Sequence, residues 1–323
     1  MNNSDIKRQN EAAQEQFLNE ESQSHQQADN KVEVGNPNEE VTKTKRRMQI
    51  GWYGINRQEL PYQGKLYPQD WNFEIKSATG KEIAYFSTID ADDPISVMDG
   101  MNYIIRNCVR ITSNDGPVNP NKIYEIDRIF FILKVRDLTM PERENGLYIK
   151  EKCPFRCSDT ENQIELTSAS IVYKELSDFA KKYIDPVLGG FTVKTKLLGD
   201  IHFTPSTIES AEAYKEYFVN LPQESRDTKF GVRFQYYISD EMLAKAKTPD
   251  IAIKEAYQKF YDLSQEPRKF AVYMKIEQEI QPGIEDQIKY ICPTCKKEVR
   301  TSLRFPNGIQ NLFLSTNISE EFL

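Results

Sequence analysis

Of the five cysteines in this chain, four come as two close pairs: Cys153 and Cys157 in "KCPFRC", Cys292 and Cys295 in "ICPTC". Each pair has a proline directly after its first cysteine, and each is flanked by extended-looking sequence, "LYIK" and "IEL" around the first, "QIKY" and "VRTSLRF" around the second. A tight turn between two strands lets both thiolates face one cation, so each knuckle offers half of a tetrahedral site. Four soft thiolates select zinc over hard cations and leave no open position for a reactive water. The chemistry expected of Cys153, Cys157, Cys292 and Cys295 together is therefore structural Zn2+ ligation.

A second reading stays open at this point: the pairs lie far apart in the chain, and each turn could simply bury reduced thiols. A disulfide is less favoured, because nothing in the sequence signals export to an oxidising compartment. A redox Cys-x-x-Cys is less favoured again, since neither pair sits where a strand turns into a helix that would lower a thiol pKa.

Other chemistry is poorly supplied. The histidines are His25, in a polar stretch, and His202, inside an alternating strand pattern, so no imidazole is placed to activate a nucleophile. No glycine-rich phosphate loop follows a strand, and no G-x-S-x-G elbow occurs. The acidic pairs Asp92-Asp93 and Glu142-Glu144 fall in polar turns, which predicts solvated surface. Cys108 lies on the apolar face of a helical pattern and is expected in the core. The sequence predicts no enzyme.

The elements that must position the two knuckles follow from periodicity. Residues 1–48 are rich in Asn, Gln, Glu, Ser and Lys and read as a disordered polar tail. Residues 49–170 read as an N-terminal α+β module carrying the first knuckle. In it Trp71, Phe73 and Ile75 alternate as an edge strand, a helix starts at Pro94 and runs to Cys108, and a broad apolar helix runs from Ile123 to about Leu138. Residues 171–287 read as a mainly helical insertion or second module: a helix through "SIVYKELSDFAKKYI", a hairpin turning at Gly199-Asp200, and a helix capped by Ser206 with Glu209. A strand in "KFGVRFQYYI" and helices in "DEMLAKAK", "PDIAIKEAYQKFYDL" and "RKFAVYMKIEQEI" complete it. Residues 288–323 read as the C-terminal knuckle hairpin and a tail. The expected fold is α+β, a helical core with short antiparallel hairpins and a zinc-ribbon-like pair of Cys knuckles.

Composition narrows the partners. The formal charge is −7 and the basic residues are dispersed, apart from "KTKRR" at 43–47, so nucleic acid is a poor default partner. No apolar run approaches the roughly 20 residues of a membrane span, and the opening "MNNSDIKRQN" predicts neither a signal peptide nor a membrane anchor.

The order of motifs carries one resemblance. "LPYQGKLYP" (60–68) leads to "FEIK", then to a helix containing "MNYIIRNCVRI" (101–111), then to "IYEIDRIFFILKVRDLT" (123–139), then to "GLYIKEKCPFRC" and "IEL". This succession resembles the baseplate hub and tail-assembly protein family of T-even-like contractile-tailed bacteriophages. That family's pattern has a Leu-Pro-x-x-Gly-x-x-Tyr-Pro start, a helix with a late Cys and a strand running into a Cys-Pro knuckle. The resemblance spans residues 58–170 and, more loosely, "EIQPGI", "ICPTC" and "LRFPNG"; the long polar head, the spacing inside the second helix and the bulky middle third depart from it. It implies a non-enzymatic baseplate hub component or tape-measure chaperone that binds other tail proteins (tape-measure, hub or wedge subunits). The setting would be the virion tail, or the host cytoplasm during assembly. It brings no catalytic residues. The alternative class is a zinc-ribbon nucleic-acid-binding or transcription accessory factor, against which the net acidity counts.

Overall fold

The structure, a computed structural model, describes residues 51–140, 147–158, 161–220, 248–305 and 308–314, the side chains of 216–220, 249 and 250 excepted. The tail expected over 1–48, the strand expected in "KFGVRFQYYI" and the helix expected in "DEMLAKAK" lie outside the described residues.

The first part of the fold contains β1 (Tyr53–Gly54), β2 (Asn72–Ile75), α1 (Gly80–Ser87), α2 (Pro94–Cys108), β3 (Val109–Ser113), β4 (Gly116–Val118) and α3 (Arg128–Thr139). Helix α2 begins where local chemistry says it should. Pro94 occupies the first turn, and the Asp93 carboxylate accepts from the backbone N–H of Ile95 at 3.0 Å and of Ser96 at 3.2 Å. It ends where the β-branched run after Cys108 favours strand, and that run becomes β3. The sheet is antiparallel in the order β1-β2-β3-β4, so β2 is an interior strand and not the expected edge; the short β1 covers its other side.

Helix α3 lies in the middle of the core. Phe130, Phe131, Ile132, Leu133 and Val135 are all buried, which requires neighbours on more than one side. Ahead of it the aromatics interlock: Tyr67 stacks on Tyr124 at 4.5 Å and meets Phe73 edge-on at 4.9 Å.

The "LPYQG" segment is an unusual turn. Tyr62, Gln63 and Gly64 have φ of 53°, 58° and 69°, three left-handed residues in a row. The Arg57 guanidinium holds the turn by donating to the carbonyls of Gly64 at 2.7 Å, Tyr67 at 2.6 Å, Trp71 at 3.2 Å and Gln69 at 3.3 Å. Only glycine fits at 64, since a Cβ there would lie 2.6 Å from Arg57 Cγ.

The rest of the described chain adds β5 (Tyr148–Lys152), β6 (Glu161–Glu165), β7 (Ile171–Tyr173), α4 (Asp178–Lys182), β8 (Phe191–Thr195), β9 (Gly199–Phe203), α5 (Ile208–Asn220), α6 (Pro249–Ser264), α7 (Pro267–Glu279), β10 (Ile284–Ile291) and β11 (Glu298–Ser302). Three local expectations are corrected. The helix expected through "SIVYKELSDFAKKYI" is β7 followed by the short α4. Ile171 and Val172 are β-branched and buried, and β7 pairs with β10 in the register Ile288↔Ile171 and Ile284↔Tyr173. The hairpin β8-β9 closes at Thr195↔Gly199, so its turn is 196–198 and Gly199, with φ 72°, opens the second strand. Helix α5 is capped one residue later than expected. Thr207 Oγ1 accepts from the Ser210 N–H at 3.1 Å and Ser210 Oγ from the Thr207 N–H at 2.9 Å, while Glu209 pairs with Lys122.

The architecture is α+β, helices packed with antiparallel sheets. One hydrophobic core runs from Leu60 to Phe313 and draws residues from each of the stretches 49–170, 171–287 and 288–323; the expected boundary at 287/288 falls inside β10. Among the described residues no helix is long and apolar enough to cross a membrane.

Candidate metal centre

The two knuckles are the tips of two hairpins. Strands β5 and β6 pair antiparallel from Tyr148↔Glu165 to Lys152↔Glu161, and the loop leaving Lys152 carries Cys153 and Cys157. Strands β10 and β11 pair from Gln287↔Ser302 to Ile291↔Glu298, and their connection carries Cys292 and Cys295. The far edge of β10 pairs with β7, so the second knuckle stands on a three-stranded sheet.

Each knuckle closes by the same means. Pro154 and Pro293 set φ for the position after the first cysteine. In the first, the Arg156 N–H donates to the Cys153 carbonyl at 2.9 Å; in the second, the Lys296 N–H donates to the Cys292 carbonyl at 3.0 Å. Arg156 and Lys296 have φ of 51° and 60°, the left-handed geometry that turns the chain back on itself.

The four sulfurs converge. All lie within 4.8 Å of one another; Cys153 Sγ is 3.8 Å from Cys295 Sγ, and Cys157 Sγ is 3.5 Å from Cys292 Sγ. A tetrahedron with metal–sulfur bonds of about 2.3 Å has edges of about 3.8 Å, so the spacing fits one four-coordinate ion. All four are free thiols. Cys153 and Cys292 are buried, Cys157 and Cys295 partly so. With Val299 they make a small cluster of their own, and Tyr290 packs against both this cluster and the main core.

Hydrogen bonding already prepares one sulfur for a cation. The Cys292 thiol is pulled down to about 6, chiefly by the backbone N–H of Cys295 and then by that of Thr294, against the effect of burial. Cys157 is pushed up, chiefly by desolvation and then by its role as a thiol beside the other three sulfurs. Four thiolates this close repel, and a divalent cation is what permits all of them to deprotonate.

Residues outside the set support it. Asn162 is buried at an inward position of β6 and its Nδ2 donates to Cys292 Sγ at 3.9 Å. This residue escaped the motif reading, although a polar side chain on the inward face of an alternating strand was a usable signal. Lys297 of the second knuckle stands over the Phe155 ring of the first, Nζ 4.5 Å from its centroid. The hairpins are also tied outside the cysteines: Thr301 Oγ1 donates to Glu151 at 3.1 Å, and Arg304 donates to the Lys150 carbonyl at 3.1 Å and pairs with Glu151.

The remaining singled-out residues lie elsewhere. Cys108 is fully buried in the main core, its thiol pushed up to about 12 by burial, as suits a packing residue. His202 sits on β9, with Nδ1 3.0 Å from Thr192 Oγ1, which in turn donates to Asp185 at 2.6 Å. Asp93 caps α2, and Glu142 and Glu144 lie outside the described residues. Comparison with protein-family models, with curated proteins and with solved structures gave no match to this chain.

Proposed function

We propose that Cys153, Cys157, Cys292 and Cys295 hold one structural Zn2+, and that the chain is a non-enzymatic component of a contractile phage tail, a baseplate hub part or tape-measure chaperone. The convergence of four sulfurs from two hairpins, with Cys153 and Cys295 142 residues apart in sequence and Cys157 and Cys292 135 apart, carries the first half. Ligand softness argues for zinc, and saturation of all four positions by protein leaves none for substrate or water. The colinear motifs of residues 58–170 carry the second half. Their signature residues Leu60, Pro61, Gly64 and Tyr67 are buried. They therefore build the scaffold, and recognition falls to the surface. A cleft of about 840 Å3, in which Leu60, Tyr62, Phe130 and Tyr173 stand beside the charged Lys65 and Lys174, has the size of a binding cleft.

Two measurements test this. Elemental analysis of the purified chain should find about one zinc, lost from Cys153→Ser and from Cys292→Ser alike; a variant that keeps its zinc would show that the knuckles do not share an ion. Co-expression with tape-measure, hub and wedge proteins of a contractile tail should give a co-purifying complex. If none forms and the chain instead shifts DNA or RNA with a steep salt dependence, the tail assignment fails and the nucleic-acid class replaces it.

A further inference from the structure

The cleft of about 840 Å3 is assembled from stretches far apart in the chain, and its walls are fixed by the fold. Tyr62, Tyr173 and Ile184 are half-buried there, over a base of the buried Leu60, Phe130 and Leu176. The Tyr62 hydroxyl donates to the Gly283 carbonyl at 3.0 Å and accepts from the Gly283 N–H at 2.8 Å. Its ring meets that of Tyr173 edge-on at 5.4 Å. Walls held in this way lose little freedom when a ligand settles on them.

The charges of the lining are unevenly used. Glu59 pairs with Lys134, and Glu175 pairs with Lys181 at 3.0 Å. Lys65 and Lys174, both exposed, form no ion pair among the described residues. Both are anchored at Tyr62. The Lys65 N–H donates to the Tyr62 carbonyl at 3.2 Å, and the Lys174 N–H donates at 2.9 Å to the same Gly283 carbonyl that the Tyr62 hydroxyl binds. In a chain of formal charge −7, this cleft thus keeps two cations unneutralised next to half-exposed rings. Such an arrangement selects an anionic visitor and rejects a cationic one.

We propose that this cleft docks an acidic segment of a partner protein, in which neighbouring carboxylates precede an aromatic or branched aliphatic residue. The carboxylates meet Lys65 and Lys174, and the apolar residue lies against Tyr62, Tyr173 and Ile184. The assignment gives the contact role proposed above its partner chemistry and rests on that reading for the source of the segment. A basic segment is repelled by both lysines, and a neutral one gains the apolar contact alone. A polynucleotide fits less well: the edge-on packing of Tyr62 and Tyr173 covers ring surface that bases would stack on, and two cations neutralise few phosphates on a net acidic chain.

The test is methyl NMR titration of the full-length chain with N-acetyl-Glu-Glu-Phe-Leu amide, N-acetyl-Lys-Lys-Phe-Leu amide, decanoate and oligothymidylate. The acidic peptide should shift the methyls of Leu60, Ile171, Leu176 and Ile184 and bind at least about tenfold tighter than the basic one. The double variant Lys65→Glu, Lys174→Glu changes exposed side chains and should reverse the order of the two peptides, which a folding defect would not do. Equal affinity for the two peptides, no shift at the cleft methyls, an unchanged preference in the double variant, or decanoate or oligothymidylate binding as tightly as the acidic peptide would overturn the proposal. A tail complex that forms while the cleft ignores the acidic peptide strikes this assignment alone. Peptide binding with the expected preference supports it even where co-expression yields no tail complex, and that failure then falls on the tail assignment.

Discussion

Asp127 is the buried charge whose removal should change the pH dependence of stability most. It is 1% exposed, and among the described residues its carboxylate is met by the Tyr67 hydroxyl, which donates to Oδ2 at 2.7 Å, while Oδ1 has no partner there. The hydroxyls of Tyr62 and Tyr173 also feel its field and bring no positive charge. Burial therefore dominates and pushes the carboxyl from 3.8 up to about 7, with the Tyr67 bond opposing. Below the unfolded value both states are protonated. Between there and about 7 the folded state keeps a proton that the unfolded chain has lost, so stability falls as pH rises. A gap of about three pH units corresponds to roughly 4 kcal/mol lost across that window. Asp127→Asn carries no titrating group. Its amide nitrogen lacks an acceptor, which sets a constant offset of about 1–3 kcal/mol without a slope. Urea unfolding of both proteins, followed by the fluorescence of Trp52 and Trp71 at a series of pH values, gives the difference curve, in which other titrations cancel. The variant should gain on the wild type from about pH 4 to 7 and then level off. A flat difference would mean that Asp127 is ionised in the fold without penalty, and the reasoning from burial would be wrong.

Other expectations concern the two scaffolding devices. Gly64→Ala should lower stability by at least about 2 kcal/mol in urea titration, because the φ of 69° is strained for alanine and its Cβ displaces Arg57 from the carbonyls it binds; a loss within about 0.5 kcal/mol would show that the turn relaxes freely. Asn162→Leu, which removes the N–H···S bond to Cys292, should weaken zinc binding about tenfold in chelator competition while leaving the stoichiometry intact. Stripping the metal with a chelator should speed amide exchange at Arg156, Cys292 and Lys296, whose hydrogen bonds close the knuckles, and leave Phe131 and Ile132 of α3 protected.

What was legible in the sequence was local. Helix α2 announces both its cap and its buried stripe within its own residues, and the knuckles announce themselves by Cys-Pro spacing, so both were found where they stand. Strand β7 was missed because its partner β10 lies far along the chain. Nothing in "SIVYKEL" shows that a sheet edge will be waiting, and its apolar spacing suits a helix equally well. The placement of β2 inside the sheet was hidden for the same reason, since β1 contributes just Tyr53–Gly54, too short for any pattern. At the candidate metal centre the four cysteines that converge were readable, while Asn162 and the Phe155–Lys297 stack were not: they depend on which side chains the fold brings across from the other hairpin.

The position of the four thiols decides what an ion there would do. The bases of both hairpins are already fixed without it: Ile149 and Ile164 on the first and Ile288 on the second belong to the main core. The cysteines form a separate cluster beyond those bases, at the tips. A metal bound there would contribute little to forming the core and much to the relative placement of two loops that share few other contacts, the Glu151 links to Thr301 and Arg304 among them. What it would hold in register is the exposed face around Phe155 and Lys297. On this reading the zinc shapes a surface, and a surface of fixed shape is what a chain acting through contacts with other proteins requires.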